Sequence, residues 1–306
     1  MFELPERALR VRDQVDEFFH QRILPNNQRW HDEAVDGAYE PAIERELREE
    51  AKSLGLWNMA LPRLSDDAPG TRLSNLEFTA VAEVLGRLPW ASRVFNCHAP
   101  DVPNMELLQL FARPDQQARW LHPLLDGDIS SAFAMTEPGV ASSDPANLGT
   151  SITCDGDEWV INGRKWFSSN ASRPDCKFLI VVGVTDPEAR RSRQHSLVIV
   201  PTETPGFSVK RNLSVFGEYS PTSTHPEIEF NDVRVPASNM LGDAGAGFAI
   251  GQARLGPARL HHCMRAIGEC EVLLSLMVKR SAERSTFGHR IDSYSSTKEA
   301  IALSRI

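Results

Sequence analysis

The sequence predicts an α+β fold in three consecutive parts: a helical unit over residues 1–130, an antiparallel β unit over 131–242 and a partial helical bundle over 243–306. Three observations carry this. Apolar residues recur at helical spacing in the first and last parts. β-Branched runs and turn signals fill the middle. Strands and helices nowhere alternate as they would in a doubly wound nucleotide-binding fold. Neither a GxGxxG after a strand nor a GxxxxGK[ST] occurs.

In chain order, Leu9, Val11, Val15, Phe18 and Phe19 predict a first helix, which Pro25 interrupts. Ile43, Leu47, Ala51 and Leu54 predict a second, stopped at Gly55. Residues 61–73 form a loop by their Pro, Gly and Asp content. Leu76 to Val84 resume a helix ending near Gly86, and 104–112 and 116–125 give two more. In the middle part, Asp155-Gly156 and Asn162-Gly163, each flanked by β-formers, predict hairpin turns. Residues 178–184 and 196–200 are apolar β-branched runs, and 207–210 and 227–230 alternate. Residues 242–248 are a flexible entry to a long helix over 258–285, whose stripe is Leu260, Met264, Ile267, Val272, Leu276 and Met277. A last helix begins at Thr297 and runs to Ile306 without a cap or breaker.

Composition narrows the function. Of 306 residues 41% are hydrophobic and 24% charged, which excludes a disordered chain. The net charge of -8, from 41 acidic and 33 basic residues, argues against a general grip on nucleic acid or anionic lipid. No apolar run approaches the ~20 residues of a membrane span, and the acid-bearing N-terminus lacks the apolar core of a signal peptide. Cys97, Cys154, Cys176, Cys263 and Cys270 are odd in number and form no CxxC, so a disulfide framework or structural zinc site is not expected, and a cytoplasmic location fits.

Two segments stand out chemically. In 132–147 Thr, Glu, Pro, Gly and two serines cluster where an apolar strand ends, which reads as a phosphate- or carbonyl-binding turn or as an ordinary Ser-rich turn. Thirty residues on, Trp166 and Ser168 would share one side of an extended strand, fit to stack on a flat ring and bond its edge, or to pack a β core.

Together with others in order, these segments resemble the acyl-CoA dehydrogenases, flavoproteins that oxidise acyl-CoA thioesters. The matching motifs are Phe95-Asn96-Cys97-His98-Ala99-Pro100-Asp101, Trp120-Leu121-His122-Pro123, Met135-Thr136-Glu137-Pro138 with Ser143-Asp144, and Gly163-Arg164-Lys165-Trp166. They continue through Phe230-Asn231-Asp232-Val233, Arg254-Leu255-Gly256-Pro257, His261-His262-Cys263-Met264-Arg265 and Arg284-Ser285-Thr286-Phe287-Gly288. The Ser142-Ser143-Asp144 turn and the His261–Arg265 segment are most similar to the long-chain and multidomain branch.

The resemblance implies FAD as cofactor. Met135 and Thr136 would meet the flavin pyrimidine edge with backbone and hydroxyl. Ser143 would lie by the FAD pyrophosphate and the thioester end of the substrate. Trp166 would cover the ring, Ser168 would approach N5 and O4, and Arg284 and Phe287 would hold the FAD of a neighbouring subunit. Arg254 would stand at the substrate mouth, where a cation suits a CoA phosphate. The implied reaction is α,β-dehydrogenation of an acyl-CoA or acyl-carrier thioester, with an electron-transfer flavoprotein or similar acceptor, in a homo- or hetero-oligomer.

The catalytic base is left unassigned. At the in-chain position where a minority of the family carries it stands Ala253, between Gln252 and Arg254; Glu269 and Glu271 lie farther along, and the base is expected outside this chain. Tyr294-Ser295 and Ser172-Arg173 also depart from the family pattern. The alternatives are a non-catalytic flavin- or acyl-binding subunit of a hetero-oligomeric dehydrogenase, and a flavin oxidase or monooxygenase on the same scaffold.

Overall fold

A computed structural model describes residues 3–306; Met1 and Phe2, at the head of the first predicted unit, lie outside the described residues. The helical part comprises α1 (Glu6–Phe18), α2 (Asn27–Val35), α3 (Ala42–Ser53), α4 (Asn75–Gly86), α5 (Ala91–Val94), α6 (Asp101–Phe111), α7 (Pro114–Gln116) and α8 (His122–Asp126). α4 starts on a capping box, in which the Ser74 hydroxyl accepts from Glu77 N and the Glu77 carboxylate from Ser74 N. Pro25 does not end the first helix. The chain winds through a π-turn, Phe19–Ile23, and a 3₁₀ turn, Leu24–Asn26, straight into α2. Pro25 sits in the first turn of that 3₁₀ segment, where a missing N–H is tolerated.

Seven strands follow: β1 (Ser130–Ala134), β2 (Ser151–Asp155), β3 (Glu158–Lys165), β4 (Cys176–Val184), β5 (His195–Pro201), β6 (Phe207–Asn212) and β7 (Pro226–Pro236). They form one sheet, in which β5 pairs with β4 and the remaining order is β1-β4-β2-β3-β7-β6. The sheet is mixed: β1 runs parallel to β4 over most of its length, whereas β2/β3, β3/β7, β4/β5 and β6/β7 are antiparallel. Asp155-Gly156 makes the predicted hairpin, but Asn162-Gly163 does not. β3 runs on through these two residues with a bulge opposite β7. Gly163 is needed there for close approach, since a Cβ would lie 2.4 Å from Thr150 Oγ1.

Both faces of β4 are covered. Phe178, Ile180 and Val182 join the core of the helical part, while Leu179 and Val181 join a second core with β3 and β7. This explains an apolar run without alternation.

The chain then enters α9 (Gly247–Glu283), a small hairpin of β8 (Ser285–Thr286) and β9 (His289–Arg290), and α10 (Ser295–Arg305). α9 starts eleven residues before the predicted 258. Pro257 lies inside it and removes only the donor to the Ala253 carbonyl, on an exposed residue. The predicted stripe is largely uncovered within the chain. Met264 packs on the core, but Leu260, Ile267, Leu276 and Met277 are exposed. α9 is held instead where it crosses α4. A Cβ on Gly268 would lie 1.9 Å from the Glu83 carbonyl oxygen, and one on Gly86 2.0 Å from that of Arg265.

Candidate functional site

The candidate site lies where β1 and β3 end side by side. The Trp166 amide donates to the Thr136 carbonyl (3.0 Å) and the Thr136 hydroxyl to the Trp166 carbonyl (2.6 Å). Beneath this corner Lys165, 0% exposed, donates from Nζ to the Met135 carbonyl and to Glu137 Oε1, both at 2.8 Å. Glu137 also accepts from Gly149 N, Thr150 N and Thr150 Oγ1. Burial works to raise the Glu137 pKa, but Lys165 and these hydrogen bonds outweigh it, so the carboxylate stays charged. Burial pulls Lys165 down to about 8 against the pull of Glu137. The pair fixes the ends of two strands that carry the exposed chemistry of residues 135–136 and 166–168.

Past Lys165 the strand stops. Phe167 and Asn170 adopt positive φ (49° and 69°), and Ser168 N donates to Pro226 O across the turn. Trp166 and Ser168 therefore do not share one side of an extended strand. Trp166 is half-buried, and Ser168 is 1% exposed with its hydroxyl unpartnered. Asn170 Nδ2 and Thr224 Oγ1, at the same turn, are also buried without partners.

Next to the corner a narrow cavity lies between β1, β5 and the first turns of α9, lined by Phe133, Met135, His195, Phe248, Arg254 and Leu255 among others. No carboxylate lines it among the described residues. His195 Nε2 is buried and unpartnered, and burial lowers the imidazole pKa, so it presents as neutral.

Three family models match in sequence order: the acyl-CoA dehydrogenase N-terminal domain over 5–128, middle domain over 132–233 and C-terminal domain over 245–306. The chain belongs to the acyl-CoA dehydrogenase family. Over 99% of its length it is 45% identical to "Probable acyl-CoA dehydrogenase FadE2" of Mycobacterium tuberculosis, spanning 74% of that protein. It is 42% identical to human acyl-CoA dehydrogenase family member 11, over all of its own length and 40% of the relative's. The solved "putative acyl-CoA dehydrogenase" of Mycobacterium abscessus matches with a TM-score of 0.93 at 42% identity, over 99% of this chain and 77% of that one. Butyryl-CoA dehydrogenase of Megasphaera elsdenii matches at 0.78 and 26%, over 100% and 76%.

Among the acyl-CoA dehydrogenase residues singled out in the sequence, the fold brings Met135, Thr136, Trp166 and Ser168 together. Ser143 is exposed on the loop after β1, and it is Ser142 that accepts from Glu137 N. Arg254 is not a solvated cation at an open mouth. Its guanidinium stacks 4.0 Å from the Phe133 ring centroid and donates to Asn104 Oδ1 (3.2 Å). Burial lowers its pKa to about 10, with Glu106 pulling back. Arg284 and Phe287 stand apart from the corner. Thirty residues of α9 separate Arg254 from Arg284, about 45 Å at 1.5 Å per residue, and Phe287 is 92% exposed. Ala253 is exposed, Glu269 is exposed, and Glu271 pairs with Arg305 at 2.6 Å.

Sequence reasoning missed the Lys165–Glu137 pair, although both residues stand inside quoted motifs. A Lys within a β-forming run was the available signal. It also missed the buried Arg173, whose departure from the family pattern has a structural reason: it pairs with Asp175 and donates to the Tyr39 and Thr222 carbonyls.

Proposed function

We propose that the chain binds FAD at the Thr136–Trp166 corner and dehydrogenates the α,β bond of an acyl-CoA or acyl-carrier thioester, passing electrons to an electron-transfer flavoprotein or similar acceptor. The observation that carries this is the buried, unpartnered Ser168 hydroxyl, two residues past a half-buried Trp166, at a corner whose Met135 lines an apolar-walled cavity. A hydroxyl without a partner loses more than it gains by burial, so the site suits a ligand that bonds it. The donor set fits a flavin: an indole face, a free hydroxyl and a strand end. The Thr136 hydroxyl spends its proton on Trp166 O and offers a ligand only lone pairs.

A bound flavin would supply the acceptor for the β-hydride, which no side chain here provides. Met135 and Thr136 would seat the pyrimidine edge, Trp166 the ring face, and Ser168 the N5/O4 edge. Exposed Ser143 is free to meet the pyrophosphate or the thioester end. Arg254, held inward by Phe133 and Asn104, walls the cavity on the substrate side. Phe133, Phe248 and Leu255 exclude water, which strengthens the polarising hydrogen bonds on a thioester oxygen. Arg284 and Phe287, too distant to serve their own corner along α9, would serve that of a second copy. The exposed Leu273, Leu276, Met277 and Val278 support such self-association.

Among the described residues no carboxylate lines the cavity, which supports a base from outside these residues and low turnover by this chain alone. General base catalysis is typically worth ~10²–10⁴ in rate. The test is the absorbance spectrum of purified protein with FAD, followed by anaerobic bleaching with acyl-CoA and by dye reduction. Flavin bands with slow bleaching are expected. A protein that never takes up flavin ends the reading, and turnover at ordinary dehydrogenase rates would place the base within this chain.

A further inference from the structure

Past Arg254 one face of α9 continues through Ala258, His261 and Arg265, four, seven and eleven residues on, some 16 Å along the axis at about 1.5 Å per residue. There α9 lies against α6, and a second, narrow pocket opens. Its wall includes Phe78, His98, Val102, Glu106, His261 and Arg265. Arg254 lines the first space, and its charge acts on Glu106 in the wall of the second.

This wall does not suit a plain hydrocarbon tail, because covering its polar groups without new partners costs free energy. Two are already stranded. His98 and His261 are each 8% exposed, and His98 Nδ1 and His261 Nε2 have no partner. Charge is also unbalanced. Arg93 pairs with Glu44 at 2.8 Å and His98 Nε2 with Asp101 at 3.1 Å. Glu106 answers to Arg254 and Arg63. Arg265 has no carboxylate partner among the described residues; it reaches Ser92 Oγ (3.5 Å) and His262 Nδ1 (2.7 Å). Burial lowers its pKa, and its charge, after burial itself, helps push His261 down to about 4. An open groove shares His98, His262 and Arg265 and adds Ser92, Ser220 and Ser223. The mount is rigid, because the Arg265 backbone lies against Gly86 at the α4–α9 crossing.

We propose that this pocket, together with the open groove that shares its Arg265 wall, is an oxyanion subsite for the acyl group: the substrate's acyl chain carries a carboxylate or phosphate that Arg265 binds, with His261, His262 and Ser92 as further donors. An anion supplies the missing counter-charge and lets the imidazoles become donors. The proposal rests on the dehydrogenase reading and deepens it by naming the substrate class.

Two measurements on the full chain test it. The first is the thermal midpoint in inorganic phosphate and in a short dicarboxylate, against chloride at matched ionic strength. Wild type should be stabilised by at least one of the oxyanions, Arg265→Gln should not, and Arg265→Lys should recover part of the effect. The second is the rate of flavin bleaching by acyl-CoAs of equal length ending in methyl, carboxylate or phosphate ester. An anion-ended chain should be favoured by at least about tenfold, a preference lost in Arg265→Gln; the two anionic arms show which oxyanion is taken. Equal or better bleaching by methyl-ended chains, unchanged in Arg265→Gln, overturns the subsite. If no acyl-CoA bleaches the flavin, the dehydrogenase reading fails, while the midpoint series still decides whether Arg265 binds an oxyanion.

Discussion

Thr136 and Trp166 are locked to each other twice, the Trp166 amide donating to the Thr136 carbonyl and the Thr136 hydroxyl to the Trp166 carbonyl. Thr136→Val keeps the shape and leaves that carbonyl short of a donor. A loss of about 1–2 kcal/mol in urea unfolding is expected, since an orphaned partner costs that much. Thr136→Ser should stay near wild type.

Lys165→Met should be far more costly. It leaves Glu137 charged, buried and without its counter-ion, a change typically worth about 3–5 kcal/mol. Urea unfolding of the variant reads this directly. A loss below about 1 kcal/mol would mean that Thr150 and Gly149 alone satisfy the carboxylate.

The order of helical and β parts was legible because each carries its own period, 3.6 or 2, and because turn dipeptides such as Asp155-Gly156 act locally. Asn162-Gly163 carries the same local signal and misleads, because the bulge there answers to Thr150, distant in sequence. Pro257 misleads about the start of α9 for a similar reason, since helix packing overrides local propensity. Motif order singled out Met135, Thr136, Trp166 and Ser168, which the fold brings to one corner. The inward turn of Arg254 was not legible, since Phe133 and Asn104 meet it only in the folded chain.

Glu106 should make stability depend on pH. Burial pushes its carboxyl from an ordinary 4.5 up to about 7, with Arg254 and Arg63 pulling the other way. Between those values the folded state binds more protons than the unfolded state, so this group's contribution to stability falls as pH rises from about 4.5 to 7 and stays low above. Glu106→Gln should match wild type at pH 4.5 and exceed it at pH 8, by on the order of 3 kcal/mol at most. Urea unfolding at the two pH values checks the sign; a variant less stable at pH 8 contradicts it.

Gly268→Ala and Gly251→Ala, both within α9, should move in opposite directions. The first drives a Cβ into the Glu83 carbonyl and should lower stability by about 1–3 kcal/mol or more. The second meets nothing within 4 Å and should raise it by up to about 1 kcal/mol, because alanine is the better helix former. Thermal melting of the two variants side by side settles this.

The core that unites the helices with one face of the sheet takes Met105 and Leu108 from α6, Leu197 and Ile199 from β5 and Ile250 from α9. The three family segments therefore share this interior, although the middle one also has a second core of its own. A cut near 130 or 243 would split that core rather than release an autonomous piece, and fragments made there would be sticky and poorly folded. Insertions and labels belong in exposed loops such as 186–190, where no shared interior is broken. The intact chain should unfold as a single cooperative block.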